Sequence, residues 1–337
     1  MTEKERLLKV LGGSRADRPP VICPGGMMTM ASREVMVETG CVWPEVHRDA
    51  EKMASLSIAM HDSTGLENLG IPFCMTVEAE AWGGEVEDGD DVTEPCVVDY
   101  PLREVSDWRG LKSLDPLRDG RLPTIVKCTG ILSRRMPHVP VIGNLVGPLS
   151  LATSLIDAIT LFKALRKTPA EVHYMLEFLT ENCVRYGEAL IEAGADVVVI
   201  ADPSATGEIL GPAMFREFAL PYLNRLALRF RALGRPVITH ICGNIKPVLT
   251  TLGELASEGL SVDSTVDIIE AKKALPGKVL MGNVSTRLLQ NGRVEHIKAV
   301  SANLISSGVD ILAPACGISA KTPVGNIKAM KEAATGI

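Results

Sequence analysis

The chain is expected to be an α/β protein, a (β/α)8 TIM barrel, and three observations lead there. Short β-branched apolar runs end in Gly, Pro, Asp or Asn, and a longer helical pattern follows each. The runs are apolar throughout instead of alternating, as suits parallel strands covered on both faces. They also number eight, as a closed barrel requires.

In chain order the strand candidates begin with "PPVICPGG" (19–26) and "IPFCMTVEAEA" (71–81). They continue with "VPVIGNLVG" (139–147), "ADVVVIADP" (195–203), "RPVITHICG" (235–243), "GLSVDST" (259–265), "KVLMGNVS" (278–285) and "VDILAPACG" (309–317). Helical patterns cover 170–193, 212–233, 245–258 and 294–307. The stretch from about 82 to 140 breaks the rhythm with Asp, Gly, Pro and Arg, and is expected to be an insertion over one barrel face. Its "PLREVSDWRGLKSLDP" holds a short helix. Without internal repeats, residues 1–337 are expected to form one domain. The competing architecture, an open doubly wound sheet, would carry a GxGxxG turn after its first strand; "CPGGMMTM" lacks that spacing.

Composition narrows the function. The chain is 46% hydrophobic and 4% aromatic, an aliphatic composition suited to a close-packed core. A net charge of −6, with no dense basic run, argues against a nucleic-acid partner. No run approaches the roughly 20 apolar residues that span a bilayer, so no membrane partner is expected. "MTEKERLLKVLGG" lacks the apolar core of a signal peptide, and eight scattered cysteines suit a reducing compartment; a cytoplasmic location is expected. Cys23, Cys74 and Cys183 fall in strand and helix patterns as core residues, and His61 and His173 in helical patterns as solvated or capping residues.

In a barrel, chemistry gathers where strands end. The polar residues at those ends are Asp202, His240, Cys242, Asp263, Asn283 and Cys316. His240 and Cys242, two apart on a strand, face the same side. They suit either a core cysteine beside a carbonyl-bonded histidine or a pair of metal ligands. Cys316, closing the eighth strand, favours the second reading. A Cys2His set drawn from separate strand ends is a catalytic zinc arrangement with an open fourth position, whereas structural sites use close CxxC pairs, which this chain lacks. Two thiolates and an imidazole neutralise Zn2+ and make it a weak activator of water but a good holder of a substrate thiolate. Such a site suits alkylation of sulfur.

"PVICPGGMMTM", "GIPFCMTVEAEAWGG", "ADPSATGEILGP", "THICGN" and "PACGISAKTPVGNIKAM", in this order, resemble the methylcobamide:coenzyme M methyltransferases of the uroporphyrinogen decarboxylase superfamily. The resemblance runs from about residue 3 to the C-terminus. It implies a TIM barrel that takes a methyl group from a methylated corrinoid (methylcobamide) carried by a partner protein. The acceptor would be a zinc-bound small thiol, coenzyme M in that family. Decarboxylases of the superfamily carry an arginine-rich motif after the first strand, where this chain has "CPGGMMTMASRE". Decarboxylation of a tetrapyrrole and a non-catalytic corrinoid-binding role are the alternatives. Asp263 is expected either as a partner or ligand near the zinc or as a helix cap, and Asp202 to face the mouth, orienting substrate or capping a turn. Met27 and Met28 could receive the corrinoid face, with ordinary packing as the alternative, and Asn283 is similarly open. The amides around Gly317 could meet an anion. Thr322-Pro323 predicts a helix start.

Overall fold

The computed structural model describes residues 1–336. Among them nine strands form in chain order: β1 (Leu69–Ile71), β2 (Glu85–Glu87), β3 (Cys96–Asp99), β4 (Val141–Val146), β5 (Val197–Ala201), β6 (Val237–Ile241), β7 (Gly259–Val262), β8 (Val279–Val284) and β9 (Ile311–Pro314). β2 and β3 make a separate antiparallel hairpin. The other seven form one parallel sheet in the order β1-β4-β5-β6-β7-β8-β9.

The expected first strand closes this curled sheet into a TIM barrel, mostly without a ladder of its own. Val21 bridges Leu312 in parallel on one side, with Ile22 N donating to Leu312 O at 3.1 Å and Leu312 N to Pro20 O at 2.9 Å. On the other side, toward β1, side chains substitute for strand pairing. Val21 N donates to Glu67 Oε2 at 2.9 Å while Glu67 N returns a bond to Val21 O at 2.7 Å. The Asn68 amide pairs with both the N–H and the carbonyl of Cys23, at 2.9 and 2.8 Å.

Glu67 is 1% exposed, and an isolated carboxylate there would be costly. Arg6 from the N-terminal helix (2.9 Å), Arg18 (2.8 Å) and Lys331 from the C-terminal helix (2.7 Å) surround it. Burial opposes its ionised form, but Arg18, Lys331 and the Val21 amide outweigh that and hold its pKa below the ordinary carboxylate range.

The barrel interior is filled by alternate strand residues: Ile142, Val197, Val199, Ile238, Val279, Met281, Ile311 and Ala313 form one cluster with Ile22 and Met28. Leu7, Val10 and Leu11 of helix Glu3–Leu11 join this cluster and plug one end of the barrel. A second, larger cluster lies between strands and helices.

Several expected elements shift. The strand expected over 71–81 ends at Ile71, and Val77–Ala81 is a helix, the helix preference of Ala and Glu in "VEAEA" prevailing over its apolar–polar alternation. The helix expected over 245–258 contracts to a 3-10 turn, Lys246–Val248, and Leu249–Leu252; Pro247 and Gly253 interrupt the pattern. The 212–233 pattern becomes two helices, Gly207–Phe218 and Leu220–Ala232, the first broken at Gly211 (φ +65°) and the second opened by Pro221. Helix Leu122–Arg135 belongs to the barrel rhythm, so the insertion is shorter than 82–140 and amounts to the β2–β3 hairpin and the 3-10 helix Val105–Gly110. Pro323, not Thr322, occupies the cap of helix Val324–Thr335, and the buried Thr322 hydroxyl has no partner. Among the described residues no single helix is long and apolar enough to cross a membrane.

Replacing Glu67 by alanine strands buried cations and removes the Val21 acceptor. Urea unfolding should show a loss of about 3–5 kcal/mol. A loss below about 1 kcal/mol would mean that closure is carried elsewhere.

Candidate metal centre

The pleat decides which strand residues reach the mouth. Ile238 belongs to the interior cluster, so His240 and Cys242, two and four residues on, continue the same face. His240 is fully buried at the end of β6; Cys242 lies just beyond, half-buried. Cys316 lies two residues past β9, also half-buried. Their ligand atoms converge within 4.8 Å of one another. His240 Nε2 is 2.9 Å from Cys242 Sγ, which is 3.3 Å from Cys316 Sγ. The two thiols are in direct contact and shift each other in opposite directions. Donation from Cys242, which outweighs burial, holds Cys316 below the ordinary thiol range; the same bond, with burial, drives Cys242 well up.

Comparison with known proteins follows this geometry. The family model described as uroporphyrinogen decarboxylase (URO-D) matches residues 2–337. The methylcobamide:CoM methyltransferase MtbA of Methanosarcina acetivorans is 35% identical over 335 residues, covering 99% of this chain and 97% of the relative. The chain belongs to the uroporphyrinogen decarboxylase family, in its methylcobamide:CoM methyltransferase branch. A solved methyltransferase from Methanosarcina mazei shares the fold at a TM-score of 0.94 and 34% identity, covering 100% of this chain and 99% of that one. Named decarboxylases lie further away: that of Anaeromyxobacter dehalogenans is 28% identical over 305 residues, 86% of each protein. The chain is thus an enzyme, a methyltransferase.

Around the sulfur cluster of this family member, the other expected residues take varied places. Met27 stands closest, its Sδ 4.0 Å from Cys242 Sγ. Met28, expected at the mouth, is instead fully buried in the barrel interior, where Ser261 Oγ donates to its Sδ at 3.5 Å. Successive residues of this turn face opposite ways, so only one of the two methionines reaches the cluster.

Asp263 does not touch His240. It accepts from Gly243 N at 3.3 Å and Thr265 N at 2.9 Å, tying the turn after Cys242 to its own turn. Asn283 likewise acts on backbone, donating to the carbonyls of Asp263 and Val266 at 2.8 Å each, rather than presenting its amide to a ligand. Gly317 packs tightly, an added Cβ lying 2.6 Å from Met27 O and 2.9 Å from Thr29 N, and its amide donates toward the Cys316 sulfur. Gly26 (φ +62°) permits the same turn to cross Asn144, whose side chain would otherwise clash.

Asp202 departs most from expectation. Val197 and Val199 face the interior, so Asp202 falls on the opposite face and points into the helix layer. There it caps helix Pro148–Leu155, accepting from Ser150 N at 2.8 Å, Ser150 Oγ at 2.6 Å and Leu149 N at 3.3 Å. Burial still pushes its carboxyl up, to about 6. His61 and His173 bond to the Leu66 carbonyl and the Tyr222 hydroxyl, away from the cluster.

Three residues at the mouth escaped the sequence. Ser261, opposite His240 in the β6–β7 register, holds Nδ1 at 2.8 Å. Glu94, from the turn of the β2–β3 hairpin, brings a carboxyl toward Thr29 and Cys316; burial pushes it up to about 8 against a bond from Thr29. Glu78 is 4% exposed, accepts from Val146 N at 2.9 Å at the end of β4, and is pushed up to about 7 by burial. A strand-pairing register would have pointed to Ser261; Glu78 and Glu94 gave no pattern.

Two outcomes follow from these contacts. Gly317→Ala should displace the Met27–Thr29 turn and Cys316, lowering divalent-metal affinity by tenfold or more, roughly the loss seen when supporting contacts of metal ligands go; competition with a chromophoric chelator measures it. Because the folded state holds the Glu78 proton up to about pH 7, against about 4.5 for a free glutamate, its contribution to stability is greatest below pH 4.5. That contribution fades as pH rises toward 7, by about 3 kcal/mol. Glu78→Gln should flatten this part of the urea-stability profile while keeping the acceptor for Val146.

Proposed function

We propose that this enzyme moves a methyl group from a methylated corrinoid, carried on a partner protein, to the thiol of coenzyme M, using Zn2+ held by His240, Cys242 and Cys316. The single domain of this reading comprises the whole barrel. One observation carries it: three side chains from two distant strand ends converge within 4.8 Å. The relatives that match nearly the whole chain are methylcobamide:CoM methyltransferases, and they suggest the substrate pair.

The donors fit the ion. A tetrahedral zinc at about 2.3 Å from each sulfur needs the two sulfurs about 3.8 Å apart. The observed 3.3 Å opens to that value with a shift of about half an ångström. Two soft thiolates and one imidazole match zinc better than magnesium or calcium. Among the described residues no fourth side chain joins the set, which leaves a corner for the substrate.

When bound, the ion would supply Lewis acidity that keeps an incoming thiol in its nucleophilic thiolate form. The chain's own residues do the rest. His240, Cys242 and Cys316 fix where the acceptor sulfur sits, so that the methyl carbon need only be brought in line. The Met27 thioether beside Cys242 keeps that flank apolar, which strengthens charge interactions at the cluster. Asp263 and Asn283 pin the turns that bear Cys242 and follow β7, so the donors are held before substrate arrives.

Metal analysis should find about one zinc per chain in the wild type and little in His240→Ala, Cys242→Ala and Cys316→Ala. The same variants should lose methylation of coenzyme M by free methylcobalamin, by a factor of at least about 100. Full zinc and full turnover in all three variants would overturn the assignment.

A further inference from the structure

We infer that Ser261 and Met28 form a relay that fixes the proton of His240 on Nδ1, leaving Nε2 as the donor atom for the metal; the metal side of this rests on the zinc reading above. His240 and Ser261 face each other in register across β6 and β7, and both are fully buried, as is Met28. Ser261 Oγ lies 2.8 Å from His240 Nδ1 and 3.5 Å from Met28 Sδ.

The chemistry of the three groups sets the direction. A thioether has lone pairs and no proton, so the Met28 sulfur can only accept. A serine hydroxyl has one proton to give, and here the sulfur receives it. Its remaining lone pairs face Nδ1, which must then be the N–H of the ring. A neutral imidazole protonated at Nδ1 keeps its lone pair on Nε2, the nitrogen 2.9 Å from Cys242 Sγ. Reversing the chain would put the ring proton on Nε2 and leave no lone pair there for the metal.

Among the described residues no other group bonds to Nδ1. The carboxylate of Asp263, the partner suggested by sequence order, is engaged by Gly243 N and Thr265 N. A neutral hydroxyl and a thioether thus take the place usually filled by a carboxylate or carbonyl behind a metal-binding histidine. Ser261 and Met28 are positioning residues, since each acts through His240.

The tautomer is measured directly by long-range 1H–15N correlation on histidine-labelled, metal-free, reduced protein. The wild type should show His240 with a protonated Nδ1 and an unprotonated Nε2. Ser261→Ala and Met28→Leu should each give a mixture with the proton on Nε2, and zinc affinity by chelator competition should fall about 10–100-fold. Ser261→Thr, which keeps the hydroxyl, should restore both. A wild-type proton on Nε2, or an unchanged tautomer and affinity in both variants, would overturn the relay. A wild type that binds no zinc would sink the metal reading instead, and the tautomer of the metal-free protein would still decide the relay.

Discussion

Closure of the sheet at its first strand is the constraint on which the site depends. Cys316 follows the last strand, and the turn carrying Met27 follows the first strand segment. They pack together at Gly317 because Val21 bridges Leu312 and the sheet becomes a ring. That segment is held to its other neighbour by one glutamate and one asparagine rather than by a ladder. Glu67 is buried among Arg6, Arg18 and Lys331, so closure also draws in both terminal helices. Because such a carboxylate is stable only with its cations and amides in place, the ring and the termini should form together. An open sheet with the same strands would leave Cys316 at an edge, far from β6.

Once the ring exists, the two-residue period of the strands assigns roles. One parity fills the interior with Ile238, Val197, Val199 and Met281, and at the mouth that parity delivers His240, Cys242 and Ser261. The opposite parity faces the helices, and it takes Asp202 away from the mouth to cap the helix after β4. The same carboxylate would be a substrate-facing acid one residue earlier or later. Position in the pleat, more than residue type, separates the chemistry from the scaffold here.

The barrel, the parallel order and the His240–Cys242–Cys316 set were legible because each rests on a local signal: an apolar run, a breaker, a spacing. The first strand was legible as a run but not as a segment closed by side chains, since Glu67 and Asn68 lie outside any strand pattern. Strand two was overextended because "CMTVEAEA" is apolar enough for a sheet, while its register with β4 ends at Ile71. Asp202 was misplaced because a residue after the apolar run was assumed to continue toward the mouth, without counting parity from the interior valines. Asn283 and Gly317 sit at strand ends, where polar or small residues suggest ligands, and the sequence does not show what they pack against. Their partners, two carbonyls and a crossing turn, come from remote loops that no single segment reveals. Ser261 was passed over for a related reason, since a serine inside an apolar strand carries no signal until its cross-strand partner is known.

The neutral surroundings of the cluster make sense of the proposed ligand set. Two thiolates already balance a divalent ion, and a third sulfur entering as thiolate would leave the assembly with one net negative charge. A carboxylate directly behind His240 would add a second negative charge to a fully buried interior, where charge repulsion is least screened. The fold avoids this. Asp263 is turned toward backbone amides, burial drives the Glu94 carboxyl toward its protonated form, and the histidine is held by a hydroxyl that in turn leans on a thioether. On the proposed reading, donor density at the substrate sulfur would come from the coordinating thiolates themselves, with no further negative charge needed behind the histidine.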